Sequence, residues 1–240
     1  MVWRLRNLLE AFAPDVTEEM GHRRCLVLAP HPDDEVLGCG GTIARKVRQA
    51  THVSIAFLTD GRGGLAGSLE EVTSLREAEA LRAAATLGLS PDRLTFLRFA
   101  DGQLTEHVQD ATIGVRRLVD ALGVDDLFVP YRREFHADHI AAWQIGSACR
   151  RPGMRLFEYP IWYGPWLWRR LRGRARIAAV SQLSDVRRAV KVSILPFMEV
   201  KKRALAAHQS QVRAFEAQGA WAREFLAAMN GRYELFFTCH

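Results

Sequence analysis

Short apolar runs alternate with longer stretches in which apolar residues recur at helical spacing, up to about residue 150. The apolar runs have the length of buried strands and end in polar or glycine-rich turns. They predict strands at residues 24–30, 52–59, 94–99 and 126–130. The periodic stretches between them predict helices at residues 42–49, 70–87 and 111–121. The chain is therefore predicted to alternate strand and helix.

Continuous apolar strands separated by helices are typical of a parallel sheet with helices on both faces. We therefore predict an α/β fold, a Rossmann-like and mostly parallel sheet that binds ligands beyond the carboxyl ends of its strands. Later in the chain the pattern predicts a strand at 176–182, a helix at 198–211 and a final apolar run at 233–238. Because no repeat, low-complexity tract or linker divides the sequence, residues 1–240 are expected to form a single domain.

The composition is that of a globular protein. Of 240 residues, 48% are hydrophobic and 25% are charged, which excludes disordered and fibrous classes. No apolar run approaches the roughly 20 residues of a membrane-spanning helix, and charge interrupts the first residues too early for a signal peptide, so a cytoplasmic location is expected. The four cysteines are far apart and form no Cys-x-x-Cys pair, which argues against a disulfide scaffold and a thiolate zinc site. Any metal is therefore expected to use histidine and carboxylate ligands.

The net charge of +6 is concentrated in one segment. Residues 169–191 carry eight basic side chains and one acidic side chain, so the rest of the chain is close to neutral and no nucleic-acid partner is expected. Tryptophans precede these basic residues, and the segment 162–191 therefore suggests an alternative function, that of a peripheral membrane or nucleic-acid-binding protein. That alternative leaves the histidine and aspartate clusters described next without a role.

Two clusters of imidazole and carboxylate side chains each follow a predicted strand. His31, Asp33 and Asp34 come directly after the first strand, whereas His136 and His139 lie one helical turn apart after the fourth. Imidazole and carboxylate are good zinc ligands, and a catalytic site uses three of them and leaves one position open. The remaining groups would carry protons for a metal-assisted hydrolysis. Phosphoester hydrolases usually bind two metals through more carboxylates, so the clusters favour one metal and an amide bond.

Each cluster also has an ordinary structural explanation. Pro32 and Asp33 favour a turn, and Asp138 could merely favour the helix dipole. His136 and His139 could lie on an exposed helix surface. A joint site is favoured because both clusters follow a strand, a coincidence that unrelated solvated loops would not produce.

These motifs resemble those of a known family. The run from Ala29 to Glu35, with Gly38, Gly40 and Gly41 after it, resembles the first motif of the LmbE/PIG-L family of zinc-dependent N-deacetylases, and the run from His136 to His139 resembles the second. Weaker blocks follow in the family's order: Thr59-Asp-Gly61, Arg76-Glu-Ala-Glu79, Asp101-Gly102 and Lys202 to Gln211. The resemblance covers residues 23–215, and its specificity comes from the two histidine motifs together.

The resemblance implies a set of roles for these residues. His31, Asp34 and His139 would bind one zinc ion, or another divalent transition metal. Asp33 would be the general base for the zinc-bound water, which suits a carboxylate adjacent to a ligand. His136, as an imidazolium, would stabilise the oxyanion and protonate the departing amine. Asp138 would orient one of the histidines.

The implied substrate is an N-acetylglucosamine-like sugar or glycoconjugate. Arg76 and Asp101 match positions that contact the sugar in some members, although Arg76 could be a solvated helix residue and Asp101 a turn residue. Phe135 stands where some members carry a tyrosine, which puts a phenol contribution in doubt. Glu35 could hydrogen-bond a ligand or cap the following helix, and His208 could approach the site or pack in the core.

Overall fold

The computed structural model describes residues 10–63, 65–161 and 182–239. Its strands are β1 Cys25–Ala29, β2 Val53–Thr59, β3 Leu94–Phe99, β4 Asp126–Pro130, β5 Arg155–Tyr159, β6 Ala189–Ser193 and β7 Tyr233–Cys239. They form one sheet with the order β3-β2-β1-β4-β5-β7-β6. The strands from β1 to β5 pair in parallel, and β7 runs antiparallel to both β5 and β6. The predicted α/β fold with a mostly parallel sheet is confirmed.

Helices cover both faces of this sheet. They are α1 Asp34–Arg48, α2 Leu69–Thr86, α3 Val108–Leu122, α4 Ala137–Ala148, α5 Met198–Ala207, α6 Gln209–Glu216 and α7 Ala220–Met229. One core cluster joins the sheet to α1, α2, α5 and α7, and a second joins its other face to α3 and α4. The central strands are buried on both faces, which explains their continuous apolar sequences.

The strand β1 shows how the alternation of side chains serves the two cores. Val27 and Ala29 pack in the cluster that contains Ile43 of α1. Leu26 and Leu28 pack in the cluster that contains Ile145 of α4. Successive side chains of a strand point to opposite faces, so this one strand anchors helices above and below the sheet.

The helix predicted at 42–49 begins eight residues earlier, at Asp34, so Gly38 and Gly41 lie inside α1 rather than before it. A Cβ on Gly38 would lie 2.3 Å from the Tyr159 ring, and one on Gly41 would lie 2.5 Å from Ile194. These glycines therefore allow α1 to pack closely, which a single sequence cannot distinguish from a glycine turn.

The structure differs from the prediction mainly in the second half of the chain. The helix predicted at 198–211 is two helices, α5 and α6, which meet at His208. The strands β5 and β6 and the helix α7 were not predicted, and the sheet extends to residue 239, beyond the stretch of family resemblance. The strand predicted at 176–182 lies outside the described residues except for Gln182, which begins a 3-10 helix.

The topology places a binding crevice at one edge of the sheet. β2 and β3 lie on one side of β1, whereas β4 and β5 lie on the other. The strand order along the sheet therefore reverses at β1. Ligands of open α/β sheets bind beyond the carboxyl ends of the strands at such a reversal. Within the described residues, none of the helices combines the length and apolar character needed to cross a membrane.

Candidate active site

A cavity of about 350 Å³ lies beyond the carboxyl ends of the parallel strands. His31, Asp33 and Asp34 reach it from the segment after β1, and His136 and His139 reach it from the start of α4. The predicted site residues that line it are His31, Asp33, Asp34, Arg76, Asp101, His136 and His139. Asp138 lies directly behind this surface and is completely buried.

Three of these side chains converge on one point. Oδ2 of Asp34 lies 3.1 Å from Nδ1 of His31 and 3.3 Å from Nε2 of His139. Asp34 and His139 are 3% and 1% exposed, so the group is nearly closed to solvent on one side. Burial works to raise the pKa of Asp34, but the neighbouring His139 and His31 outweigh it and hold that pKa well below its usual value. Asp34 is therefore a carboxylate, as a metal ligand must be.

The three groups fit a zinc ion by distance and by chemistry. Ligand atoms about 2.0–2.2 Å from a tetrahedral zinc lie roughly 3.3 Å from one another, close to the two separations observed around Asp34. Nε2 of His139 is the candidate ligand atom because it lies beside Asp34, whereas Nδ1 on the far side of the ring lies 4.0 Å from the buried carboxylate of Glu134. Two imidazoles and one carboxylate are a donor set that suits a catalytic zinc ion, and the adjoining cavity leaves room for a fourth ligand.

Asp138 holds His31 from behind. Its Oδ2 accepts the Gly102 N–H at 2.7 Å and lies 3.2 Å from Nε2 of His31, and its Oδ1 accepts the Leu104 N–H at 3.1 Å. A carboxylate on one ring nitrogen leaves the other nitrogen free to bind a metal. Asp138 therefore does more than place a negative charge in the first turn of α4: its carboxylate contacts the ring of His31 and can orient it.

Asp101 is also directed at His31. Its Oδ1 lies 3.2 Å from Nε2 of His31, and its Oδ2 accepts the Gly63 N–H at 2.8 Å. Burial opposes ionisation of Asp101, but the hydrogen bond with His31 prevails and the pKa falls to about 2. Asp101 thus connects the segment after β2 to the histidine while one face of it lines the cavity.

Asp33 has an unusual main-chain conformation. Its φ of 149° is rare for a residue other than glycine and costs on the order of 1–3 kcal/mol. Its N–H donates to Oε2 of Glu35 at 2.9 Å, and its Oδ1 lies 3.7 Å from Nη2 of Arg76. Burial raises the pKa of Asp33 to about 6, although Arg76 acts in the opposite direction. A carboxyl group with such a pKa is suited to proton transfer near neutral pH.

Arg76 is not a solvated helix residue. It is only 2% exposed, and its guanidinium lies beside Gly61 and Asp33 at the cavity wall. Among the described residues, neither its Nε nor its Nη1 has a hydrogen-bond partner. A buried guanidinium with two unpaired nitrogens has N–H donors left over for hydrogen bonds beyond the described residues.

His136 is the N-cap residue of α4 and accepts the Asp138 N–H at its Nδ1, at 3.3 Å. The proton of the neutral ring therefore lies on Nε2. Burial lowers the pKa of His136, and the nearby His31 and His139 lower it further. The resemblance implied an imidazolium, whereas this environment favours a neutral ring that donates from Nε2.

The sequence did not assign the cavity residues contributed by α6. Gln211 and Phe215, one helical turn apart on α6, line the cavity, as do Leu37 and Ile161. Gln211 belongs to a block of the family resemblance, which was the only available signal for it.

The contacts of Glu35 and His208 decide between the alternatives that the sequence left open for each, namely a ligand contact or a helix cap for Glu35, and a place in the site or in the core for His208. Glu35 contacts the Asp33 main chain rather than a metal ligand, and His208 is fully buried against Glu35.

The tryptophans and most of the basic residues of segment 162–191 lie outside the described residues. Arg188 and Lys191, at its end, are hydrogen-bonded within the fold.

Two histidines and an aspartate meet around one point of this α/β fold, with a second carboxylate beside them, and together they form a group that could hold a metal ion. The sequence model of the family described as PIG-L, GlcNAc-PI de-N-acetylase, matches residues 26–149, slightly more than half of the chain. The chain belongs to the PIG-L family of deacetylases.

Two curated relatives agree with this assignment, and one solved structure shares the fold. The chain is 30% identical to the diacetylchitobiose deacetylase of Thermococcus kodakarensis, over 79% of this chain and 70% of that protein. It is 27% identical to the 1D-myo-inositol 2-acetamido-2-deoxy-alpha-D-glucopyranoside deacetylase of Saccharomonospora viridis, over 78% and 84% of the two chains. The fold matches N,N'-diacetylchitobiose deacetylase from Pyrococcus horikoshii with a TM-score of 0.67, at 22% identity over 98% of this chain and 90% of that one.

Proposed function

We propose that this protein is a zinc-dependent hydrolase that removes the acetyl group from the nitrogen of an N-acetylglucosamine-like sugar or glycoconjugate. The observation that carries the proposal is the convergence of His31, Asp34 and His139 beside Asp33, at the wall of an open cavity. Membership of a deacetylase family supports the reaction. Both curated relatives are named for substrates that carry an acetylated amino group on a sugar.

These three residues would hold the zinc ion, which would supply a Lewis acid for the acetyl carbonyl and would lower the pKa of a water molecule. Asp33 accepts the proton of the attacking water, because it is adjacent to the ligand Asp34 and its own carboxylate is outside the ligand set. As the amide C–N bond breaks, the same proton becomes available for the departing amine. The products are acetate and the free amino sugar.

His136 stabilises the negative charge that develops on the carbonyl oxygen. Its Nδ1 accepts the Asp138 N–H, so the ring proton lies on Nε2, and this N–H is the donor that His136 can offer to the carbonyl oxygen of a substrate in the cavity. A neutral imidazole donor of this kind is an established way to polarise a carbonyl. Arg76 lines the cavity and can donate from its guanidinium to hydroxyl oxygens of the sugar, and Asp101 can accept from a hydroxyl.

The charge of the cavity favours a neutral substrate. Among the described lining residues, three carboxylates face one guanidinium, and a divalent cation balances the remaining negative charge. Leu37, Ile161 and Phe215 provide apolar surface for the acetyl methyl group and for the faces of the sugar ring. A neutral acetylated sugar suits this balanced charge and apolar surface, and it brings no charge that would need a counter-ion.

The test combines zinc analysis with acetate release. The protein loaded with zinc should bind about one ion per chain and release acetate from N-acetylglucosamine or diacetylchitobiose. His31→Ala, Asp34→Ala and His139→Ala should each lose the ion, whereas Asp33→Asn should retain it and lose turnover by at least about 100-fold.

His52→Ala is the matched control, because His52 is exposed and remote from the cavity. It should retain both zinc and activity. Full zinc occupancy in all three ligand variants would refute the site, and undiminished turnover in Asp33→Asn would refute the assignment of the base.

A further inference from the structure

The strained main chain at Asp33 is held by side chains that the proposed reaction does not use. Its N–H donates to Oε2 of Glu35, a residue that is 1% exposed. Without this partner, a buried N–H would have no hydrogen bond, and the positive φ of Asp33 would have less to maintain it. Glu35 thus binds the N–H side of the Asp33 main chain, whereas the Asp33 carbonyl accepts the N–H groups of Val36 and Leu37 in the first turn of α1.

Glu35 is itself held from the other half of the chain. Its Oε1 lies 2.9 Å from Nε2 of His208, which is completely buried at the junction of α5 and α6. A carboxylate can only accept, so with Glu35 as a carboxylate the contact uses the tautomer of His208 that carries its proton on Nε2. The Nδ1 of His208 has no hydrogen-bond partner among the described residues, so the contact with Glu35 is its one polar role there.

The same junction reaches the other neighbour of Asp33. Two residues after His208, Ser210 donates from its N–H and its hydroxyl to the buried Glu79, at 2.8 Å and 2.6 Å. Glu79 lies one helical turn after Arg76 on α2. Residues 208–210 thus connect to the main chain of Asp33 and to the helix that carries Arg76.

We propose that His208 and Glu35 are positioning residues that hold the Asp33 main chain in its strained conformation, so that its carboxylate lies beside the metal site. The inference rests on the proposed function, in which Asp33 is the base. It assigns a role in the reaction to a pair of residues that touches neither metal nor substrate.

Two amide substitutions at residue 208 separate positioning from packing. In His208→Gln the amide nitrogen reaches the position of Nε2, whereas in His208→Asn it reaches only that of Nδ1. His208→Gln should keep kcat within about threefold of the parent, whereas His208→Asn should lose roughly 10- to 100-fold, the scale of a misplacement of about 1 Å. KM and zinc content should stay within about twofold in both, because the ligands and Arg76 are not changed. Equal kcat in the parent and in a folded His208→Asn would overturn the proposal.

A double-substitution cycle tests whether His208 acts through Asp33. In an Asp33→Asn background, His208→Asn should cause little further loss of kcat, because the base is already absent. A full, multiplicative loss there would overturn the proposal. Lys46→Met is the matched control, because Lys46 is a fully buried lysine in the last turn of α1 that pairs with Asp126 and lies outside the cavity lining. It should lower stability while kcat of the folded protein is retained.

Amide hydrogen exchange provides a readout that is independent of catalysis. The Asp33 N–H should be protected in the parent and in His208→Gln, and should exchange at least about tenfold faster in His208→Asn. Unaltered protection would overturn the proposal. If His208→Asn does not fold, Glu35→Asp replaces it: the shorter carboxylate cannot span Asp33 and His208, so the same losses of protection and kcat are expected. If the parent releases no acetate from any substrate, the proposed function fails, and the exchange data still decide whether His208 holds Asp33.

Discussion

Replacement of Asp138 by asparagine separates an orienting role from a merely favourable charge at the start of a helix. The carboxylate accepts from three donors, namely the N–H groups of Gly102 and Leu104 and Nε2 of His31. An asparagine has one acceptor oxygen in place of two. If that oxygen faces Gly102 and His31, its amide group meets the Leu104 N–H, 3.1 Å from the replaced oxygen, and both are donors.

The magnitudes follow from this mismatch. One buried donor without a partner costs about 1–3 kcal/mol of the free energy of unfolding. The neutral oxygen is also a weaker acceptor for His31 than a carboxylate, which lowers the basicity of the ligand nitrogen and should reduce zinc affinity about 10- to 100-fold. If Asp138 acted only on the helix dipole, the loss would be about 0.3–1 kcal/mol of stability without any change in zinc affinity.

The assay is a zinc titration against a competing chelator, with urea unfolding of the metal-free protein alongside. Asp110→Asn is the control, because Asp110 is an exposed acid in the first turn of α3 and contacts no part of the site. It should change stability by less than about 1 kcal/mol and leave zinc affinity unchanged. An Asp138→Asn protein that folds and binds zinc within about twofold of the parent would refute the orienting role.

Two further predictions concern a buried cation and the packing of α1. Arg76→Lys should lower kcat/KM at least about tenfold at full zinc occupancy, because lysine cannot reproduce the planar set of donors of a guanidinium in a buried site. Steady-state kinetics that give an unchanged kcat/KM would contradict this prediction. Gly41→Ala should lower the free energy of unfolding by about 1–3 kcal/mol, because the added Cβ would lie 2.5 Å from Ile194. Gly114→Ala should instead raise it by up to about 1 kcal/mol, because Gly114 lies within the helix α3 and its Cβ would lie 3.6 Å from Leu97. Urea unfolding measures both, and equal stability of the two variants would show that α1 is packed differently.

The sequence by itself determined the fold class and the two motifs of the site. Buried parallel strands need apolar side chains on both faces, so β1, β2 and β4 were visible as continuous apolar runs. Because the carboxyl ends of such strands share one edge of the sheet, the polar residues after β1 and β4 could be placed together without a structure. That step brought His31 and His139 into one predicted site.

Only the tertiary structure decided how these residues are held. The pairing of Glu35 with His208 joins residues 173 positions apart. The unusual φ of Asp33, the burial of Arg76 and the Asp138 contact with His31 likewise depend on neighbours from other elements. A local pattern records whether a side chain faces the core, because that preference repeats with the period of a helix or strand. It does not record which remote partner a polar atom meets, because that is decided by how the helices pack on the sheet.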